Sequence, residues 1–487
     1  MDQEHFNVVV VGAGISGIGA GYHLQKKCPD KSFVILERRQ NIGGTWDLFR
    51  FPGIRSDSDM HTMGFSFKPW TSAKTIADGP SILNYLDEAV EENNLAPKIR
   101  FGHQVKTASW SSSESVWRLE VKNQDDGTLR NFSCNFLQLC GGYYNYDEGY
   151  SPDFKGREDF SGQIIHPQKW TDEVDYKNKK VVVIGSGATA ATLIPAMAPE
   201  TLHTTMLQRS PSYYLSLPDV DVIHSFLMKI LPHRLAYFLV RWKNILLGHR
   251  LFTKFKENPE KYKELLINDV RENLEPDYDV DTHFTPYYMP WDQRLCFAPN
   301  ADLFEAIKSG KVSVVTDTID RFTEKGIKLD SGSELEADLI ITATGLNLQL
   351  LNGIDIKVDN ATVDISEKMA YKGMMFSHIP NLVATFGYTT ASWTLGADLT
   401  NEYVCRLLNY MTKKGFDYCM PKPGEDVRTE GNYLNLTSGY IKRAAHKLPK
   451  QGSKAPWINT QDYLRDIVEV RLGSLTNKDL EFISVRE

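Results

Sequence analysis

The chain has 487 residues, of which 41% are hydrophobic and 24% charged, and this composition predicts a globular protein with two or three structural units. Its formal net charge of -7 at pH 7 argues against a nucleic-acid partner, because such a partner requires a concentrated basic surface. The six cysteines show neither a C-x-x-C pair nor the spacing of a zinc site. Reduced thiols in a cytosolic protein without a metal site are the simplest interpretation.

The first six residues carry acids and lead directly into a strand, which is unlike a signal peptide. No apolar run is long enough to span a bilayer, so we expect a cytoplasmic protein. Two interpretations of the stretch 222–255 stay open: a basic amphipathic segment that lies on an anionic membrane surface, or helices that cap a substrate pocket. Its apolar residues alternate with five basic ones, Lys229, Arg234, Arg241, Lys243 and Arg250.

A dinucleotide fingerprint begins the chain. Residues Phe6–Val11 predict a buried parallel strand that enters a G-x-G-x-x-G turn and then a helix through Lys27. In such a turn the first glycine permits the tight bend, the second lets a pyrophosphate approach the backbone, and the third lets helix and strand pack closely. The helix N-terminus then stabilises the phosphate charge. The candidate cofactor-binding residues are Gly12, Gly14, Ser16 and Gly17.

The next predicted strand, Phe33–Leu36, ends in Glu37. A carboxylate at this position can accept hydrogen bonds from the adenosine ribose. Because an acid disfavours a 2′-phosphate, FAD or NAD fits this first site and NADP does not. The following Gly44-Thr45-Trp46 could be a plain turn or could bring backbone close to a ligand.

A helix is predicted over Ser81–Asn93, and a meander of strands over Arg100–Trp110, Val116–Val121 and Asn131–Cys140. Beyond Tyr150 the chain is rich in Pro, Asp, Lys and Gly, which predicts a crossover rather than a packed element.

A second fingerprint follows strand Lys180–Ile184. It reads G-x-G-x-x-A, with candidate cofactor-binding residues Gly185, Ser186, Gly187, Thr189 and Ala190, and alanine in the last position still permits close packing. The partner strand, Thr204–Gln208, ends in Arg209 and Ser210 instead of an acid. A guanidinium beside a hydroxyl suits a 2′-phosphate, so this pair predicts NADPH at the second site; the alternative is a surface arginine that happens to follow a strand.

The rest of the chain contains a proline-interrupted helical insertion at Leu217–Pro290, strands at Val312–Thr316, Ile327–Leu329 and Ala337–Thr342, and a helix at Ala397–Lys413. The predicted organisation is α/β, with two Rossmann-like dinucleotide-binding domains and a helical insertion in the second. The predicted segments are 1–145 for the first part of the FAD domain, 146–335 for the linker and NADP domain, and 336–487 for the second part of the FAD domain.

The residues between the two fingerprints resemble a family motif. The spacing Phe-x-Gly-x-x-x-His-x-x-x-Trp, formed by Phe160, Gly162, His166 and Trp170, resembles flavin-dependent monooxygenases of the Baeyer–Villiger type. The likeness extends over nearly the whole chain. Within the family, the chain is similar to the ethionamide-activating monooxygenases and to bacterial enzymes of long-chain alkane and ketone metabolism. It is carried by this linker and by the segments 46–59, 291–295 and 391–395.

The resemblance implies that NADPH reduces FAD, which then activates O2 to convert a ketone into an ester or lactone, with sulfoxidation as a side activity. It implies a catalytic Arg294 that stabilises negative charge and is paired with Asp57 near the flavin. It also implies that Gly44, Thr45 and Trp46 contact the flavin and that the backbone of Val105 contacts the adenine. For His166 we favour an orienting role over proton chemistry.

Two departures from the family pattern leave alternatives open. Thr171 follows Trp170 where Pro or Asp is usual, which leaves room for oxygenation of sulfur or nitrogen atoms, and hydroxylation of long-chain alkanes is a further alternative. Gln293 precedes Arg294 where a lysine is common, which weakens the preference for NADPH over NADH. A flavin disulfide reductase would need a pair of redox cysteines, and a non-catalytic nucleotide sensor would leave Arg294 and Asp57 only a packing role.

Overall fold

The computed structural model describes residues 4–434 and 437–485. It contains two sheets with parallel strands at their centres, and in each sheet one of these strands leads into a glycine-rich turn. In chain order the strands of these residues are β1 (Glu4–Val11), β2 (Phe33–Leu36), β3 (Ile99–Arg100), β4 (His103–Ser111), β5 (Val116–Asn123), β6 (Leu129–Leu139), β7 (Tyr144–Gly149), β8 (Gln163–Ile165), β9 (Lys180–Ile184), β10 (His203–Gln208), β11 (Tyr214–Leu215), β12 (Cys296–Phe297), β13 (Val312–Thr316), β14 (Ile319–Thr323), β15 (Gly326–Leu329), β16 (Glu334–Glu336), β17 (Leu339–Thr342), β18 (Leu346–Leu348), β19 (Asp355–Val358), β20 (Ala361–Thr362), β21 (Ala370–Tyr371), β22 (Met375–Phe376), β23 (Leu382–Ala384), β24 (Tyr418–Pro421), β25 (Thr429–Asn432), β26 (Lys450–Gly452) and β27 (Leu480–Ile483).

The α-helices of the same residues are α1 (Ile15–Lys27), α2 (Thr45–Leu48), α3 (Met60–Met63), α4 (Gly79–Glu92), α5 (Ala188–Met197), α6 (Val222–Ile230), α7 (His233–Glu257), α8 (Pro259–Asn273), α9 (Val280–Phe284), α10 (Asp302–Lys308), α11 (Trp393–Lys414), α12 (Gly439–Ala444) and α13 (Tyr463–Ile467). Short 3-10 turns lie at Ala96–Lys98, Arg157–Asp159, Pro167–Lys169, Pro299–Ala301, Leu350–Gly353, Ile365–Glu367 and Ala445–Lys447, and a π-helix at Val468–Leu472.

The larger sheet has nine strands in the order β20-β19-β4-β5-β6-β1-β2-β3, with β23 beside β6. β1 is parallel to both β2 and β6, whereas β4, β5 and β6 form the predicted antiparallel meander. Val8–Val11 of β1 and all of β2 are buried, as expected for parallel strands covered on both faces. The first glycine-rich turn therefore opens at the carboxyl edge of this sheet.

The smaller sheet is entirely parallel, in the order β13-β10-β9-β17-β8. The second glycine-rich turn follows its central strand β9, and the apolar run of this strand is buried from Val181 onward. Two linker strands, β7 and β18, pair antiparallel between the sheets. The segment that leaves the larger sheet and the segment that returns to it therefore lie side by side.

Two predictions about segment limits need correction. The crossover after Tyr150 is not free of packed structure, because β8 adds to the edge of the smaller sheet beside β17. The predicted boundary at 336 comes one strand too early, since Leu339–Thr342 pairs with β9 and the chain leaves the smaller sheet only after it. An apolar run of four residues fits either sheet, so composition alone could not assign it.

The helical insertion consists of α6 to α9, and its two ends are held together by the parallel pair β11 and β12. Its aromatic residues have mixed roles: Tyr237 and Phe255 are buried, whereas Phe238 and Tyr287 are exposed. The predicted basic face also needs correction. Arg241 is buried, and Lys243 pairs with Asp221, so neither side chain lies on an open surface.

Helix α11 begins at Trp393, four residues before the predicted start at Ala397. The difference matters because it places the segment 391–395 at a helix N-terminus beside the first nucleotide turn. Within residues 4–434 and 437–485 no helix combines the length and the apolar character that crossing a membrane requires.

Candidate active site

The first candidate nucleotide site lies between β1 and α1. Gly12 has φ +100°, and a Cβ on Gly17 would lie 1.8 Å from the carbonyl oxygen of Gly12, so only glycine lets α1 begin directly after β1. Helix α1 has no acidic residue in its first turn, and its N-cap Gly14 offers no side-chain cap. Its first N–H groups are therefore available to an anion, as a bound pyrophosphate requires.

Gly14 has a partner that the sequence did not reveal. A Cβ on Gly14 would point at Cα of Gly44, 3.5 Å away, so the two glycines let two backbone segments approach each other at the cavity wall. Ser16 is engaged as well, since its hydroxyl oxygen accepts a hydrogen bond from Nε1 of Trp393 at 2.8 Å. The serine hydroxyl still has a proton to donate to a ligand in this cavity.

Glu37 is buried at the end of β2 and lines the same cavity. Its Oε2 accepts from the backbone N–H of Ala13 at 2.7 Å, and its Oε1 accepts from the N–H of Arg39 at 2.8 Å. Burial raises the pKa of the Glu37 carboxyl, and these two hydrogen bonds together with the charges of Arg39 and Arg38 oppose that rise. Each carboxylate oxygen keeps a lone pair for a ribose hydroxyl.

The remaining residues predicted at this site line the same cavity: Gly44, Thr45, Trp46, Val105 and Asp57. Thr45 Oγ1 and the Tyr146 hydroxyl are 3.4 Å apart. One cavity is thus lined by Glu37 and Val105, by the turn at Gly12 and by Asp57. These groups suit the adenosine end, the pyrophosphate and the redox-active ring of an elongated dinucleotide.

Arg294 and Asp57 form an ion pair with Nη2 and Oδ2 3.0 Å apart. Their side chains are 37% and 42% exposed, and both line the first cavity, so the free surface of both groups faces this space. The Asp57 carboxylate is the main cause of a raised pKa for the Arg294 guanidinium, and burial opposes it. The arginine accordingly remains a cation at every working pH.

Three tyrosines lie around this pair, and none of them was predicted from the sequence. Tyr143 and Tyr144 follow the turn at the end of β6. Together with Tyr440 they contribute to the raised pKa of Arg294. Burial raises the pKa of Tyr144 to about 12 and that of Tyr143 above its usual range. They are therefore neutral phenols. For Tyr143 and Tyr144 the available signal was their place just after β6, which is parallel to β1, since ligands bind beyond the carboxyl ends of parallel strands.

A second cavity of about 860 Å³ adjoins the first. Asp57, Ser58 and Ala391 line both cavities, and Leu295, which follows Arg294, lines the second. The wall of the second cavity is largely apolar, with Leu217, Val220, Ile245, Leu247, Phe252 and Leu395 among its lining residues. The ion pair therefore lies where the two cavities meet.

The loop that carries Asp57 is held on both sides. The Ser58 N–H donates to Oγ of Ser56 at 2.9 Å, and Asp59 caps α3 by accepting from the N–H groups of His61 and Thr62. Asn244 of α7 donates to Asp59 Oδ1 at 2.9 Å. The helical insertion is therefore coupled directly to the segment that positions Asp57.

The second candidate nucleotide site lies between β9 and α5. Gly185 has φ +129°, and a Cβ there would lie 2.4 Å from the carbonyl oxygen of Ala343. Gly187 is exposed and caps α5 without a side-chain hydrogen bond, and a Cβ on it would meet no atom of the described chain within 4 Å. Thr189 is half-buried and Ala190 fully buried. The turn thus offers open N–H groups to a phosphate, like the first one.

The end of β10 comes close to this turn. The Gly185 N–H donates to the Leu207 carbonyl at 2.8 Å, and the Ser186 hydroxyl donates to the Ser210 carbonyl at 3.3 Å. Arg209 lies between these two contacts and is exposed. A guanidinium in this position is free to bind a phosphate on the ribose of a bound dinucleotide.

The linker motif joins the two units. Phe160 is buried against the smaller sheet, and a Cβ on Gly162 would lie 2.6 Å from the Asp338 carbonyl oxygen. Trp170 packs in the core of the second unit. His166 Nε2 is 3.0 Å from the Gly345 carbonyl, and its Nδ1 accepts from the Gln168 N–H at 3.2 Å.

These contacts require a neutral imidazole with its proton on Nε2, since only an unprotonated Nδ1 can accept. Burial lowers the pKa of His166 in agreement with this form. The orienting role that we favoured for His166 stays a prediction, and the described contacts suit it because they join the segment after β8 to the segment after β17.

Two buried histidines lie where the insertion meets α3. The rings of His61 and His224 are 4.3 Å apart between centroids, and both residues are almost fully buried. Burial lowers the pKa of His61 to about 4; His224 and Lys243 act in the same direction, whereas Asp59 and Asp221 oppose it. In the unfolded chain a histidine has a pKa of about 6.5.

This difference predicts acid sensitivity. Between about pH 6.5 and pH 4 the unfolded chain binds a proton at His61 that the folded chain does not, so stability falls as the pH is lowered through this window. We expect a loss of roughly 3 kcal/mol from this residue at pH 4 relative to pH 7. His61→Phe should flatten the pH dependence of the urea midpoint, and the exposed His446→Phe should leave it unchanged. If the urea midpoint of His61→Phe depended on pH as that of the wild type does, His61 would not be the cause of the acid sensitivity.

Known proteins are similar to this chain in sequence and in fold. Residues 10–78 match a family described as NAD(P)-binding Rossmann-like domain. The chain is 54% identical over 481 residues to the FAD-containing monooxygenase EthA of Mycobacterium tuberculosis, covering 98% of each protein. It is 48% identical to the probable FAD-binding monooxygenase AlmA of Acinetobacter baylyi, covering 95% of this chain and 93% of that protein.

The chain belongs to this family of FAD-containing monooxygenases. Its fold is also that of a steroid monooxygenase solved with NADP, with a TM-score of 0.79, 21% identity and coverage of 99% and 100%. For the cyclohexanone monooxygenase of Rhodococcus sp. Phi1 the TM-score is 0.75 at 20% identity, with the same coverage. The predicted α/β fold and the predicted monooxygenase family are confirmed, and the prediction of FAD and NADPH agrees with these names.

Proposed function

We propose that this monooxygenase uses NADPH, FAD and O2 to insert one oxygen atom into ketones, mainly aliphatic ones, giving esters or lactones, with oxidation of sulfides as a side activity. The observation that carries the proposal is the Arg294–Asp57 pair at the junction of the two cavities. A fixed cation is needed where negative charge develops during oxygen transfer, and an apolar space beside it suits a weakly polar substrate.

The residues of the first cavity fit FAD. The uncapped N-terminus of α1 would bind the pyrophosphate, Glu37 the ribose, and the backbone near Val105 the adenine. Bound FAD would supply acceptance of hydride from NADPH and activation of O2. The chain itself supplies position and charge, through Asp57 and Arg294 at the far end of the cavity.

Arg294 stabilises negative charge by hydrogen bonds and by its permanent positive charge. Asp57 orients the guanidinium by occupying one of its N–H groups and leaves the others for the reacting oxygen atoms. Tyr143 and Tyr144 line the same cavity as neutral phenols, which can donate hydrogen bonds but add no charge. The site therefore offers a fixed cation whose free surface faces the first cavity.

The alternative of a flavin disulfide reductase is disfavoured by the cysteines near the cavities. Burial raises the pKa of Cys140 and of Cys296 to about 12 each, so both are protonated thiols without the reactivity of a redox pair. In the described part of the chain every cysteine is buried and free.

The decisive experiment follows NADPH oxidation by the purified, FAD-loaded protein with a series of linear ketones and with matched sulfides. We expect faster NADPH oxidation with a ketone and an ester that carries one atom from ¹⁸O₂. Oxidation of NADPH that yields only hydrogen peroxide with every ketone and sulfide would refute the proposal, and products from sulfides alone would support oxygenation at sulfur instead.

The assignment of NADPH to the second site predicts the effect of Arg209→Ala. Loss of the guanidinium removes a charge-assisted contact to the 2′-phosphate, which is worth about 1.5–3 kcal/mol. The KM for NADPH should therefore rise by roughly 10- to 100-fold, while the KM for NADH changes little. Arg321→Ala, which removes an exposed arginine of β14, is the matched control. Equal changes for NADPH and NADH would contradict the assignment.

A further inference from the structure

The stretch 222–256 has a charge unlike that of the rest of the protein. It contains seven lysines and arginines and no aspartate or glutamate, in a chain of net charge -7. Arg241 and Lys243 are engaged internally, and five cations remain exposed: Lys229, Arg234, Arg250, Lys254 and Lys256. Among the described residues only Lys256 of these five has a carboxylate within 4.0 Å, that of Asp292 at 3.9 Å. The exposed charge here is therefore free to meet an anionic partner.

Large apolar side chains are exposed on the same two helices. On α6 they follow a helical stripe, at positions 222, 226 and 230 with 223 beside it, and α7 exposes six more. Each is between 40% and 76% exposed: Val222, Ile223, Phe226, Ile230, Leu235, Phe238, Leu239, Leu246, Leu247 and Leu251. A water-soluble surface rarely leaves so many large apolar groups together, and such a patch marks a binding surface. We call these residues with the five cations the α6–α7 face.

The α6–α7 face is continuous with the second cavity. Val222, Ile223 and Leu247 are exposed on the face and also line the cavity that reaches Asp57. They therefore lie at a mouth of the cavity, with α6 on one side and α7 on the other. An apolar molecule at this surface would meet these three apolar side chains at the mouth, and the Asp221 and Lys243 side chains that line the same cavity are paired with each other.

We propose that the α6–α7 face binds the surface of an anionic lipid bilayer, and that apolar substrate passes from the bilayer between Val222, Ile223 and Leu247 into the second cavity. Apolar side chains among lysines and arginines are the composition of segments that lie in the membrane interface, and the cations supply attraction to anionic lipid. The second half of the proposal rests on the proposed oxygenation site, and the first does not.

A second copy of this chain suits the face less well. Pairing the face with its own copy about a two-fold axis would bring the same cations towards one another, and like charges in an interface are repulsive. A bilayer with anionic headgroups complements both features, since it accepts the apolar side chains and neutralises the cations. The charge pattern thus favours lipid.

The test uses the FAD-loaded protein and vesicles of phosphatidylcholine, either alone or mixed with phosphatidylglycerol at about two to one. We expect sedimentation with the mixed vesicles, weakened by salt, and little with phosphatidylcholine alone. The charge variant K229E/R234E should lower the partition coefficient by at least roughly 30-fold, and the apolar variant F226S/F238S should lower it as well. The matched controls are Lys122→Glu and Leu129→Ser, which are exposed on the β5–β6 hairpin and should bind like wild type.

Equal binding of wild type and both variants, or no binding to either vesicle, would overturn the proposal. Dimers that dissociate in F226S/F238S without any vesicle binding would assign the face to a second copy instead. Vesicle binding requires no turnover, so its failure is separate from failure of the oxygenation. With a long-chain ketone dissolved in the mixed vesicles, both variants should turn over at least about 10-fold more slowly, while a short, water-soluble ketone is oxidised at the wild-type rate.

Discussion

Arg294→Ala is expected to lower the rate of ketone oxygenation by roughly 10²–10³-fold, the usual effect of removing a preorganised stabiliser of developing charge. Reduction of bound FAD by NADPH should continue, because hydride transfer depends on the position of the two cofactors and not on this charge. NADPH would then be consumed with hydrogen peroxide as the product. Rapid-mixing spectroscopy of flavin reduction, together with ester analysis, separates the two steps.

Two comparisons sharpen this experiment. Arg294→Lys keeps a positive charge but loses the planar fork that holds Asp57 while leaving other N–H groups free, so its ester yield should lie between those of wild type and Arg294→Ala. The flavin absorbance of each purified variant reports whether FAD is retained. Loss of FAD from Arg294→Ala would indicate a structural role, and unchanged ester formation would exclude the catalytic one.

Arg241→Ala is expected to give the largest loss of stability, about 3–5 kcal/mol, because it leaves buried polar groups without partners. Arg241 Nη1 donates to the carbonyls of His61 at 2.7 Å and Gly64 at 2.7 Å, and its Nη2 lies 3.6 Å from the buried Asp398 carboxylate. Without the guanidinium these buried acceptors have lost their donor, and α7 loses this attachment to α3. We expect the thermal midpoint to fall by roughly 3–5 °C.

The control is Arg250→Ala on the same helix, which is exposed and should change the midpoint by less than about 1 °C. Limited proteolysis locates the effect, since detachment of α7 should expose cleavage sites within residues 222–257 before the rest of the chain is cut. A midpoint for Arg241→Ala equal to that of Arg250→Ala would contradict the role of Arg241 as the residue that fastens the insertion.

Local patterns predicted the nucleotide-binding units well. Strand β1, the glycine turn and α1 appear where the sequence predicts them, because a buried apolar strand, three glycines and an amphipathic helix each have one favourable local conformation. The pairing of Arg294 with Asp57 also agrees with the family resemblance, and the structure places the two side chains 3.0 Å apart. Roles in binding and catalysis stay predictions until the variants are measured.

Contacts over long distances in the chain escaped prediction. Ser16 and Trp393 are 377 positions apart, and no local pattern links them. The burial of Arg241 could not be predicted either, because an arginine in a basic helical stretch has the same local signal whether it faces solvent or the backbone carbonyls of His61, Thr62 and Gly64. Likewise, the strand Leu339–Thr342 carries an apolar run that either sheet could accept.

The sequence by itself determined the two glycine-rich turns, the acid after the first unit's second strand and the arginine after the corresponding strand of the second unit, because these depend on backbone conformation and on charge within a few residues. Only the tertiary structure decided that Arg294 and Asp57 stand between two cavities and that α6 and α7 leave apolar side chains uncovered at the mouth of one of them. Burial and the meeting of distant segments are properties of packing, and packing is settled by the whole chain at once.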